Sequence, residues 1–134
     1  MAFPKILFAI PLLVAGAFVP ALGADPPAPP STVVGMEHEV FNMDSITVNR
    51  GDTLTFVNNS RWMHILGPGR DGSLGEVDGL PMHERALTEI NARYTTGRWD
   101  TPGTYYITCS MHPEMTVKVI VKECGCCSHG GTCG

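Results

Sequence analysis

Cysteine is absent from the first 108 residues of this 134-residue chain; all five lie at Cys109 or later. No cysteine therefore follows the apolar N-terminal stretch as a lipid-attachment point. Charge is sparse, at 16% of residues, with 13 acidic side chains against 9 basic ones and no run of Lys or Arg. A formal charge of −4 leaves no cationic face for phosphate, which argues against a nucleic-acid partner. Helical periodicity is weak, with a short turn near Met82 to Leu87 as the only candidate. There is no internal repeat. The length suits one domain and leaves no room for a multidomain redox enzyme. With 43% hydrophobic residues, 15 Gly and 11 Pro, the composition fits a loop-rich globular domain rather than a disordered chain or coiled coil.

The long apolar run sits at the N-terminus. Lys5 precedes Ile6 to Val19, and small residues surround Ala21 to Ala24. This order reads as a secretory signal peptide over residues 1–24, and hence as export to a periplasm, cell surface or extracellular space. The competing reading is an uncleaved anchor, because Phe3 to Leu22 approaches spanning length. Pro11, Pro20 and the small-residue end favour cleavage. Residues 25–32 form a proline-rich spacer, extended and semi-rigid. From Val33 to Glu123 the pattern is that of strands. Ser45 to Asn49 alternates with period two, Arg50-Gly-Asp52 turns, and Thr53 to Val57 alternates again. Thr104 to Cys109 follows a turn at Asp100 to Gly103, and Thr116 to Lys122 places Val117, Val119 and Val121 on one face. Short strands between Gly- and Pro-bearing turns predict an all-β, antiparallel β-sandwich over residues 33–123.

The most informative segment is Cys109 to Met115, where Cys109, His112 and Met115 are spaced three apart directly after a predicted strand. Thiolate, imidazole and thioether form a soft-to-borderline donor set that selects copper over Mg, Ca or Mn. A loop of two residues between Cys109 and His112 can close around one ion, and Pro113 stiffens it. His64, just beyond the Thr53 to Val57 strand, is the natural second imidazole. Two His, one Cys and a weak axial Met make the trigonal blue-copper electron-transfer site. A shuffled chain of this composition shows the C-x2-H-x2-M spacing about one time in a hundred. The bland alternative makes Cys109 a buried small hydrophobe and Met115 a core residue. A surface patch of Met63, Leu66, Leu80, Pro81, Met111 and Pro113 around His112 is a candidate docking face, with ordinary loop packing as its alternative. His38 and His83 read as surface residues.

These segments resemble the cupredoxins, most closely the amicyanin and plastocyanin type. Gly51 to Asn58 is similar to the family's strand before its first histidine, His64 falls at the usual offset, and Gly103-Thr-Tyr leads to the short ligand loop. The resemblance spans nearly all of residues 33–123. It implies a Greek-key sandwich of about seven to eight strands, with His64, Cys109 and His112 as equatorial copper ligands and Met115 as the axial one. It also implies a one-electron carrier shuttling between redox proteins. Protein ligands at all four positions leave none open for a small-molecule substrate, which argues against an enzyme, and weak, transient docking near His112, on the connecting loop, suits a carrier. Ile65 departs from the family, which usually has Asn after the first histidine, and Thr116 and Val117 also differ.

The tail, residues 124–134, holds Cys124, Cys126, Cys127, His129 and Cys133 and no large hydrophobe. Disulfides, a second Cu(I) or Zn(II) site and an unstructured reactive tail all remain open for it. The alternative function is accordingly copper handling, in which the tail captures Cu(I) and the domain stores it or passes it on.

Overall fold

Residues 31–123 are the described part of the chain in the computed structural model. The signal segment, most of the spacer and the cysteine-rich tail lie outside the described residues. Nine strands are present among the described residues: β1 (Ser31–Met36), β2 (Ser45–Asn49), β3 (Thr53–Asn58), β4 (His64–Arg70), β5 (Ser73–Leu74), β6 (Arg85–Leu87), β7 (Arg93–Thr95), β8 (Gly103–Cys109) and β9 (His112–Lys122). The end of the expected spacer already belongs to a sheet, since Ser31 and Thr32 pair with Thr53 and Leu54.

The alternation seen in the sequence is realised residue by residue. β2 buries Ile46 and Val48 and exposes Ser45, Thr47 and Asn49. β9 buries Met115, Val117, Val119 and Val121 on one face, the side-chain period of two that a half-buried strand imposes. Between β2 and β3 the chain turns at Gly51, whose φ of 93° suits glycine, while Asp52 N–H donates to Asn49 C=O at 3.0 Å. That turn looks like a hairpin but is a corner. β3 joins β1 and β7 in a three-stranded sheet, whereas β2 joins the six-stranded sheet in the order β2-β9-β8-β4-β5, with β6 on β4.

Besides nine strands where about seven to eight were expected and the early start of β1, two features differ from the sequence-based expectation. The sandwich is all-β, but its sheets are mixed: β1 runs parallel to β3, and β2 parallel to β9. Because β2 and β3 leave for different sheets, each lands beside a strand remote in sequence, and nothing local dictates the relative direction. The helical turn near Met82 to Leu87 is absent. Arg85–Leu87 is instead β6, captured by the edge of β4 with His64 opposite Leu87. Backbone groups beside an open sheet edge gain more from that ladder than from an isolated turn.

The two sheets enclose Val34, Leu54, Phe56, Leu66, Trp99, Ile107, Val117 and Val119, all at most 1% exposed. Phe56 meets Phe41 edge-on at 6.1 Å, and the Trp99 indole N–H reaches Thr96 Oγ1 at 3.1 Å. Burial of such side chains is the main favourable term in a domain of this size. Phe56→Ala is expected to lower unfolding free energy by about 3–5 kcal/mol, read from the denaturant midpoint of the metal-free protein.

Candidate metal centre

Strand pairing assembles the donor set. β8 and β9 form a hairpin in which Cys109 sits opposite His112, and the register slips between Thr108 and Cys109, where Pro113 to Met115 of β9 are extra. Only Ser110 and Met111 separate the two, so thiol and imidazole face each other across a tight turn. β4 lies on the other side of β8, with Leu66 opposite Cys109. Ser110 N–H donates to Ile65 C=O at 2.9 Å and extends that ladder toward His64. Thus His64 joins Cys109 and His112 at one end of the six-stranded sheet.

Nδ1 of His64 and Nδ1 of His112 each lie 3.8 Å from Cys109 Sγ. The three ligand atoms fall within 4.8 Å of one another, and the imidazole rings are tilted with centroids 5.1 Å apart. Metal–nitrogen and metal–sulfur bonds of about 2.0–2.3 Å in a trigonal arrangement would separate the donors by about 3.5–4 Å. The two sulfur–nitrogen distances match that, so the cluster has the size and chemistry for one soft-to-borderline ion. His64 and Cys109 are fully buried and His112 is half-buried. Met115, 1% exposed, belongs to the same buried cluster as Cys109.

The ligand loop is braced from below. Thr108 Oγ1 donates to Met115 C=O at 2.8 Å and lies 3.0 Å from Thr116 Oγ1. The same hydroxyls accept from the turn between β4 and β5, Thr108 from Gly72 N–H at 3.0 Å and Thr116 from Asp71 N–H at 3.1 Å. Gly72 has a φ of 77°, and a Cβ there would sit 3.0 Å from the Cα and Cβ of Pro113. The turn therefore packs directly on the ligand loop. Thr116, which departs from the family pattern, is a member of this brace. Ile65, another departure, contributes its backbone carbonyl to Ser110 rather than a side chain.

Of the anticipated docking patch, Met63, Met111 and Pro113 are exposed beside the ligand residues, whereas Leu80 lies beside Thr104 to Tyr106, and Pro81, whose carbonyl accepts from Gly97 N–H at 2.8 Å, also sits away from His112. Leu66 is not part of it. With zero exposure it lies in the core, because its pairings with Arg85 and Cys109 place it in mid-sheet. Sequence reading missed Trp62, which is 55% exposed and stacks on His38 at 4.4 Å. His38, though exposed, meets the His112 ring edge-on at 5.6 Å. It also missed β6, Asn58 and Ser60, which support His64. Arg85 to Leu87, three residues without alternation, is too short to have announced a strand. Cys124, Cys126, Cys127, His129 and Cys133 lie outside the described residues.

Burial pushes the His64 imidazole down from 6.5 to about 4, with repulsion from His112 and His38 adding to it. His64 therefore stays neutral over most of the acidic range in the folded, metal-free protein, while the unfolded chain takes up its proton below about 6.5. The stability this neutral burial preserves is complete above that pH and is lost as pH falls toward the folded value. Relative to His64→Gln, metal-free wild type should lose stability between pH about 6.5 and about 4, in denaturation midpoints measured side by side.

No curated protein sequence matches the chain. The family model of copper binding proteins, plastocyanin/azurin family, matches residues 31–122. Solved structures similar to this chain include amicyanin from Paracoccus versutus (Thiobacillus versutus), 27% identical over 79% of this chain and 87% of that one, with a TM-score of 0.55. A reduced Trp-to-Tyr variant of amicyanin is 26% identical over 69% and 82%, with a TM-score of 0.55. The reduced Cu(I) form of a Pro-to-Gly amicyanin variant is 26% identical over 71% and 85%, with a TM-score of 0.56. A mixed two-sheet β-sandwich, one buried thiol between two imidazoles and a family match over nearly all of the described domain lead to one conclusion: the chain belongs to the plastocyanin/azurin family of copper binding proteins, the cupredoxins, and its donor set fits a type 1 copper site.

Proposed function

We propose that this chain is an exported, mononuclear type 1 copper protein that carries single electrons between redox proteins. The observation that carries the reading is the approach of both imidazole Nδ1 atoms to one buried sulfur, at 3.8 Å each. His64, Cys109, His112 and Met115 would hold the ion. Copper bound there supplies a one-electron Cu(I)/Cu(II) couple. The chain's contribution is a donor set already assembled by strand pairing, so that little has to move when charge changes. Burial of His64 and Cys109 keeps water from those donors, and with Met115 as a fourth ligand no position would be left open for a substrate, a closure made by protein groups alone. A carrier without enzymatic activity follows from that closure. The amicyanins it resembles are described in reduced, oxidised and Cu(I) forms, which supports redox cycling.

His112 is the half-buried ligand and the natural point of electron passage. Exposed Met63, Met111 and Pro113 offer a weakly polar rim, suited to brief docking of a redox protein. Export rests on the N-terminal apolar segment and its small-residue end.

A visible spectrum of the mature protein with one equivalent of Cu(II) tests the reading, alongside a variant whose four tail cysteines are all changed to Ser. An intense thiolate-to-copper band that bleaches with ascorbate in both proteins supports the carrier. Copper held only as colourless Cu(I), and only with the tail cysteines intact, would replace it with copper handling. Cys109→Ala should abolish the band, whereas Met115→Gln should retain copper and shift the reduction potential, because the axial ligand tunes it.

A further inference from the structure

His64 presents Nδ1 to Cys109 and turns Nε2 the other way, into the connection between β3 and β4. There Ser60 Oγ lies 3.0 Å from Nε2. A hydroxyl can donate or accept, and an imidazole nitrogen can do either, so this contact alone leaves the proton unplaced. The surrounding groups place it.

Asn58 is fully buried. Its amide orientation follows from two backbone groups of fixed polarity. Ser60 N–H can only donate, and does so to Asn58 Oδ1 at 2.8 Å; Trp62 C=O can only accept, and receives Asn58 Nδ2–H at 2.8 Å. Asn58 Oδ1 therefore faces Ser60, whose hydroxyl lies 2.9 Å from it and must donate, since a carbonyl oxygen has no proton. Turned instead toward its other neighbour, Trp62 C=O at 3.5 Å, the hydroxyl would again be donating to a pure acceptor. With its single proton on Asn58 Oδ1, the nearest of these acceptors, the hydroxyl offers only lone pairs. Trp62 N–H, at 3.2 Å, donates into the same oxygen. What remains for His64 Nε2 is to donate to Ser60 Oγ.

We propose that Ser60 is a positioning residue for the metal centre: it accepts from His64 Nε2–H and so fixes the tautomer whose bare Nδ1 faces Cys109. A nitrogen must offer its lone pair to bind a metal, and the partner of the other ring nitrogen decides which one does. Ser60 thus selects the ligating atom and the ring orientation before any ion arrives. Asn58 acts one step further out by holding the hydroxyl in its accepting state. This inference rests on His64 being a metal ligand.

The test uses the full chain in its metal-free form. Two-bond 1H–15N spectra of the histidine side chains are expected to show the His64 proton on Nε2 in wild type. In Ser60→Ala, Nε2–H loses its acceptor, and the Nε2-protonated form should no longer be the sole tautomer. Affinity for Zn(II) and Cu(II), measured by competition with a chelator, should fall by about 10- to 100-fold. Ser60→Thr, which keeps a hydroxyl, should recover most of both. Wild-type protein carrying the His64 proton on Nδ1 would overturn the proposal without recourse to any variant. So would Ser60→Ala with an unchanged tautomer and wild-type metal affinity. Failure of the ligand assignment is recognisable separately: in wild type, the His64 ring resonances would then not respond to Zn(II) at all.

Discussion

Everything at the metal centre depends on the two-residue connection between β8 and β9. It places Cys109 opposite His112, so that a thiol and an imidazole are brought together by the strand ladder itself. Loop closure this short carries little entropic cost and leaves few alternative conformations. The register slips between Thr108 and Cys109, leaving Pro113, Glu114 and Met115 of β9 without β8 partners, so the regular ladder breaks where the ligands begin. His64 then needs only to be delivered by the neighbouring strand. β4 does so, held by β8 on one side and β6 on the other.

That delivery has a physical cost, since His64 is a fully buried imidazole in a mostly apolar cluster. Burial is tolerable because the ring is neutral and because Nε2 has a hydrogen-bond partner. No buried side-chain nitrogen or oxygen lacks a partner among the described residues. On the other side of the centre, the hydroxyls of Thr108 and Thr116 tie the β4–β5 turn to the ligand loop. Two polar networks thus hold the site, one behind His64 and one beneath the Cys109–Met115 loop. Both use short hydroxyl side chains, which suit a cramped sheet end.

The likeness to amicyanin, at 26–27% identity and a TM-score of 0.55, is one of fold. The residues that support the donors are particular. Ile65 gives only its backbone to the ligand loop, and bracing falls to Thr108, Thr116 and the turn at Gly72. The solvent side of His112 is likewise shaped by this chain's own residues, with His38 edge-on to the ligand ring and Trp62 stacked upon His38.

Local chemistry in the sequence determined a good deal. The period-two runs at Ser45 to Asn49 and Thr116 to Lys122 became strands with the expected buried faces, because alternation is a property of the extended backbone itself. The C-x2-H-x2-M spacing marked the ligand loop, because a tight turn brings its ends together whatever surrounds it. Tertiary structure alone decided the rest. It sent β2 and β3 to different sheets, made two strand pairs parallel, drew Arg85 to Leu87 into β6 and sank Leu66 into the core. It also set Ser60 against His64 and His38 against His112. The physical reason is the same in each case. Such contacts join residues whose separation along the chain carries no periodic or spacing signal, and they exist only once the sheets have paired.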